Sequence, residues 1–299
     1  MKLLALMTAL ALGAATPSVT ILLREQAWMP DARARAFLEE PAECLASRER
    51  AVEIGRALFR SPAMLGGPAA RAGLSCNACH SGGRRNPHFM LPELTNRAGA
   101  ADVTSEWSSK VRGDGIVNPL DIPDLSGVTR RETFGRARDP SLEHFVHGVV
   151  VEEFQGPEPQ AELTASIMAY LRALDEGECA RGMAPVTLTS ATDDVRRAVA
   201  AADGADAETA RVVLLAAQDA MGRLVERLPA QRFARERRAF EGLSREIGAM
   251  RTADDVGVAM ATALPGWRAR FDAVAARVAR RERQTYFNER TLARALRQP

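Results

Sequence analysis

Two cysteines separated by two residues, with a histidine directly after the second, narrow what this chain can become more than any other feature. In Cys76-Asn77-Ala78-Cys79-His80 the two thiols stand one helical turn apart. Both sulfurs can then add to the two vinyl groups of one haem, while the adjacent imidazole lies under the iron. Other uses of these residues fit less well. A thioredoxin-like redox pair calls for a strand before the motif and a helix after it, and here the loop Ser81-Gly82-Gly83 follows. A structural zinc site calls for a second Cys/His pair at ligand spacing, which the sequence lacks. The motif predicts one covalently bound haem c, with Cys76, Cys79 and His80 as its binding residues and His80 as an iron ligand.

The flanks read as helices. Arg50–Phe59 carries Val52, Ile54, Leu58 and Phe59 and is stopped by Ser61-Pro62. Gly55 and Phe59 lie four apart on one face. Gln160–Leu174 carries Leu163, Ile167, Tyr170, Leu171 and Leu174 on one stripe. A glycine lets two helix backbones approach, and aromatic rings fill the space beside it. These two helices are therefore expected to cross around the motif.

With these residues in view, a family resemblance emerges. Ile54-Gly55-Arg56-Ala57-Leu58-Phe59, Pro62 and Leu74-Ser75-Cys76-Asn77-Ala78-Cys79-His80 resemble the opening of bacterial di-haem cytochrome c peroxidases and the related methylamine-utilisation di-haem enzymes. Ile122-Pro123-Asp124-Leu125-Ser126-Gly127-Val128, Phe134-Gly135-Arg136 and Ser141-Leu142-Glu143 are similar to two further stretches of that family, and Ala169–Leu174 to the last helix of many c-type cytochromes. The resemblance covers about residues 50 to 175 and implies an all-α fold. It departs from the family in having one haem motif instead of two. Residues 183–299 contain neither cysteine nor histidine, so a full di-haem peroxidase is excluded within one chain.

The side chain opposite His80 decides between electron transfer and peroxide chemistry, because a sixth ligand closes the iron and an open position leaves it reactive. Ser141–Val151 reads as a short helix with His144 and His147 three apart on one face. The resemblance would put the distal ligand near Val149, which cannot bind iron. His147, one turn earlier, is the favoured metal ligand, with His144 behind it and Met90 as a thioether alternative. An open site would also need a proton shuttle. The resemblance points toward Glu152-Glu153, although the residues themselves read as a solvated acidic pair at a helix end. Arg84, Arg85, Arg130 and Arg131 are candidate partners for haem propionates.

Compartment and organisation complete the reading. Lys2 precedes the uncharged run Leu3–Ala15, and the next charge is Arg24, so residues 1–23 read as a signal peptide or membrane anchor and the chain as exported to the periplasm. Cys44 and Cys179 flank the predicted haem unit and are expected to form a disulfide there. Forty basic against thirty-eight acidic residues, interspersed and without a basic tract, argue against nucleic acid as a partner. The composition changes from Met183, and Ala184–Ser190 reads as a linker. Beyond it, Ala- and Arg-rich stripes (Val213 to Leu228, Phe233 to Ile247, Trp267 to Val278) are punctuated by Pro229 and Pro265 and predict four or five antiparallel helices. The expected fold class is all-α: a cytochrome c-like helical haem domain over residues 24–182, followed by a helical bundle over 183–299. The expected function is that of an exported mono-haem c-type cytochrome carrying single electrons between other redox proteins. A peroxidase-like haem enzyme with an open sixth position and a haem-based sensor are the alternatives.

Overall fold

The computed structural model describes residues 22–30, 32–174 and 182–297. An irregular N-terminal segment with 3-10 turns at Arg24–Ala27 and Ala34–Phe37 leads into β1 (Glu39–Pro41) and α1 (Arg50–Phe59). Short helices α2 (Gly67–Arg71) and α3 (Cys76–Cys79) follow. A long looping stretch then carries β2 (Ala100–Ala101) and β3 (Leu120–Asp121). α4 (Leu142–Gly148) runs on into a π-helical turn, Val149–Glu153, ahead of α5 (Ala161–Ala173). After β4 (Met183–Pro185) come α6 (Leu188–Ala202), α7 (Ala207–Glu226), α8 (Ala230–Thr252), α9 (Val256–Ala279) and α10 (Glu289–Leu296).

Local chemistry sets the ends of the long helices. Thr187 and Ser190 cap α6 reciprocally: Ser190 N donates to Thr187 Oγ1 over 3.1 Å, and Thr187 N donates to Ser190 Oγ over 2.9 Å. Asp206 accepts from the backbone of Glu208 and Thr209 at the start of α7, and Asp255 does the same for Val258 at the start of α9. Pro265 does not end a helix as its position suggested. α9 runs through it, and Pro265 and Ala261 both lie on the exposed side, where water can satisfy the carbonyl that loses its donor.

α1 and α5 cross as the glycine predicts. A Cβ on Gly55 would lie 2.0 Å from the Ser166 carbonyl oxygen and 2.8 Å from Tyr170 Cβ, so only glycine permits this approach. One turn on, the rings of Phe59 and Tyr170 pack with centroids 5.0 Å apart.

The expected fold class needs correcting. No cytochrome c-like haem unit stands ahead of a separate bundle. The buried faces of α1 (Val52, Ile54, Leu58) and α5 (Leu163, Ile167, Leu171) belong to one continuous apolar core with those of α6, α7, α8 and α9. A second core gathers the N-terminal segment (Leu23, Trp28, Phe37), the stretch Leu65–Leu94, Phe154 and, from the far end of the chain, Leu292 of α10. The stretch read as a linker is likewise structured. β4 pairs antiparallel with β1, Ala184 opposite Glu40. The described residues form an all-α assembly on two cores with two small two-stranded sheets.

A half-buried ionic network joins the parts. Arg56 of α1 bonds Glu43 at 2.6 Å and Asp194 of α6 at 2.7 Å. Arg60 reaches Glu40 at 3.0 Å and Asp194 at 3.3 Å, while Arg197 bonds Glu53 at 2.7 Å. Burial alone would raise the Asp194 carboxyl, but Arg60 and Arg56 overcome that and hold it well below the ordinary carboxylate range.

Candidate functional site

α3 is one turn long, and its two ends are the two cysteines. Ser75 is its N-cap and His80 its C-cap, with His80 N donating to the Cys76 carbonyl over 2.8 Å. Three sets of contacts fix the turn. Asn77 Oδ1 accepts from Gly82 N at 3.0 Å and from Arg60 Nη1 at 3.3 Å. Asn86 Nδ2 donates to the Ala78 carbonyl over 2.8 Å, and Asn86 N to the Cys79 carbonyl over 2.9 Å. His80 Nδ1 donates to the Pro123 carbonyl over 3.0 Å. That last bond places the proton on Nδ1 and leaves Nε2 with its lone pair. After His80 the backbone turns sharply through Gly82 and Gly83, whose φ values are +60° and +78°.

The sulfurs sit at the seam of the molecule. Cys76 packs against the large core and Cys79 against the second. Both are free thiols of intermediate exposure, whereas Cys44 is disulfide-bonded. Cys179, its predicted partner, lies outside the described residues. Burial pushes the Cys76 thiol up to about 11. Burial, with Cys76 beside it, pushes Cys79 higher still. Burial also lowers His80 to about 4, against the opposing pull of its bond to Pro123 and of Asp124, so the imidazole is neutral at physiological pH. On the other side of the turn, Asn77 and Ala78 line a cavity of about 140 Å³ shared with Arg60, Asp194 and Arg227.

Of the remaining predicted residues, Arg131 comes close enough to His80 to lower it electrostatically, while the candidate distal histidines are engaged elsewhere. His147 lies on the outer side of α4, its Nε2 within 2.8 Å of Glu158 Oε1. His144 is exposed and its Nδ1 bonds Asp139. His88 is exposed, and Met90 is tied through its backbone N to the Trp28 carbonyl at 2.8 Å. Arg84 and Arg85 pair with Asp124 and Asp121, and Arg131 Nη2 donates to the Asp124 carbonyl. Of the predicted leader, residues 1–21 lie outside the described residues, while Leu23 is fully buried in the second core. No described helix is long and apolar enough to cross a membrane.

Sequence reasoning missed Pro123 and Asn86, whose contacts with the turn depend on tertiary placement. It also misjudged Glu153, which was expected in a solvated pair. Glu153 is buried with 4% of its surface exposed, because the π-helical turn carries it inward. A buried carboxyl needs a partner, and Arg112, from a loop some forty residues earlier, supplies it at 2.9 Å.

The cofactor expectation is corrected here. Among the described residues, no three or more His, Cys, Asp or Glu side chains are grouped so that they could hold a metal ion. The haem c expected at Cys76, Cys79 and His80 is not supported by any such cluster. The readings built on it, as a mono-haem c-type electron carrier, a peroxidase-like enzyme or a haem-based sensor, are withdrawn with it. The expected place in the di-haem peroxidase family is corrected with them, because the sequence stretches that suggested it are not accompanied by a metal-binding cluster among the described residues. No protein-family model matches the chain, and neither does any curated protein or solved structure.

Proposed function

We propose that the chain is an exported thiol–disulfide exchange protein whose working pair is Cys76 and Cys79. The observation that carries this reading is that these two cysteines are free, half-buried and at opposite ends of a single helical turn, while Cys44 is disulfide-bonded. The strand and long helix of a thioredoxin-like fold are dispensable for the chemistry, which needs two sulfurs within bridging reach. The uncharged run ahead of Arg24 supports export, where such exchange has substrates.

Raised thiol values set the direction of the reaction. A dithiol whose thiolates are poorly stabilised is the stronger reductant at equilibrium, and the resulting disulfide resists reduction; the small thiolate fraction makes the exchange slow. In the step itself, the two Cys S–H groups lose two protons and two electrons and form one S–S bond. The disulfide of a partner redox protein takes up both and opens to a dithiol. His80 acts here by position: its bond to the Pro123 carbonyl pins the turn that carries the sulfurs.

Equilibration in glutathione buffers of graded potential, followed by alkylation and mass spectrometry, tests this. Cys76 and Cys79 are expected to change state together as a two-electron couple, at or below the roughly −270 mV of thioredoxin pairs. Sulfurs that stay independent thiols at every potential, or that never accept an alkylating reagent, overturn the reading.

A further inference from the structure

The strap formed by residues 106–120 crosses the π-helical turn. Its start is anchored by burial, with Trp107 packed on the second core and Ser108 and Ser109 buried, and the rest is held by polar contacts. Beyond Ser109 apolar packing does little to keep it down: Val111 and Val117 are each 73% exposed and Ile116 59%. Ser109 Oγ donates to the Glu152 carbonyl over 2.7 Å, and Gln155 Nε2 donates to the Ser108 carbonyl over 2.8 Å. Arg136 Nη2 donates to the Asn118 carbonyl over 2.6 Å. The central tie is Arg112, which spans two adjacent carboxylates: Nη2 to Glu152 Oε2 at 2.7 Å and Nη1 to Glu153 Oε1 at 2.9 Å. Glu153 Oε2, its other oxygen, is buried without a hydrogen-bond partner, as is Asn118 Oδ1 on the strap. A segment fixed by a few polar ties is among the first parts of a fold to open. β3 at the end of the strap stops two residues short of Pro123, whose carbonyl holds His80.

We propose that Arg112 and Glu153 form a proton-controlled clasp: protonation of Glu153 keeps the strap over residues 106–120 shut, and ionisation releases it. The unpartnered oxygen is the reason. With the strap closed, an ionised Glu153 has one oxygen on Arg112 and the other facing protein with no donor, an expensive state that water entering an open strap would relieve. The groups facing Glu153 are Arg112, Glu152 and Asp102, and Arg112 also feels Asp139. Burial outweighs the attraction of Arg112 and, with the repulsion of Glu152 and Asp102, lifts the Glu153 carboxyl to about 7. An open, hydrated Glu153 returns toward the ordinary 4.5. The open form therefore binds fewer protons, and its share rises with pH, by up to about tenfold per unit between roughly 4.5 and 7 and no further above.

Hydrogen exchange of the full-length protein from pH 5 to 8.5, corrected for the intrinsic exchange rate, reads the clasp directly. Peptides covering 106–120 are expected to lose protection at least tenfold between pH 5 and 7.5, while those from α7 and α9 stay unchanged. Glu153→Gln, neutral at every pH, is expected to keep the strap protected and pH-independent. A flat wild-type profile overturns the proposal without any variant, and so does a pH response in Glu153→Gln equal to that of the wild type.

Discussion

Gly83 holds its backbone at φ +78°, and a Cβ there would lie 2.4 Å from Leu174 Cδ2. Both the backbone and the space therefore require glycine. Gly83→Ala is expected to destabilise the protein by about 1–3 kcal/mol through strain and overpacking, seen as a lower urea midpoint with an unchanged slope. His80 supplies a pH-dependent effect. Its folded value of about 4 lies below the ordinary 6.5, so the unfolded chain takes up the proton first. Stability is full above about 6.5 and falls as the pH drops toward 4. Denaturant titrations of the wild type and His80→Gln across that window should differ by this slope, and coincident slopes would remove His80 as its source. At this scale the sequence was most informative. The adjacency of Cys76, Cys79 and His80 is covalent and cannot be misread, whereas the bond from His80 to Pro123 spans a long loop and leaves no local trace.

Among the elements, α1 and α6 are tied by Asp194, which receives Arg56 at 2.7 Å and Arg60 at 3.3 Å. Asp194→Ala removes the partner shared by two largely buried guanidiniums, leaving Arg56 on Glu43 and Arg60 on Glu40. We expect a loss of about 3–5 kcal/mol, measured by chemical denaturation, and a near-neutral result would show that the network is ornamental. Helices α1 and α5 could be read from the sequence because their apolar residues recur at helical spacing and one glycine marks the crossing. Pro265 misled because a proline signals a break only where the freed carbonyl lacks water. The π-helical turn after α4 was also illegible. One extra residue within a turn does not alter the apolar pattern enough to register, yet it moves Glu153 from the surface into the interior.

For the molecule as a whole, the two cores are closed by contacts between distant parts of the chain. Arg24 of the N-terminal segment pairs with Asp219 and Glu226 of α7, and Arg227 pairs with Glu25 at 3.0 Å. α10 returns to cover the second core, with Leu292 fully buried. Leu292→Ala is expected to cost about 2–5 kcal/mol, and thermal unfolding followed by two probes should move as one transition if the cores are coupled. Apolar stripes show that a helix has a buried face but do not name the partner of that face. For that reason a haem unit followed by a bundle was a natural expectation and one shared core was not.

The state of the two seam sulfurs decides the account. The mass of the intact protein, purified from its native compartment and then denatured, reduced and alkylated, reads that state directly. The expected mass is that of the polypeptide plus four alkyl groups, one on each of its four cysteines, Cys76 and Cys79 among them. A fixed additional group on those sulfurs, present before alkylation and resistant to reduction, would contradict it.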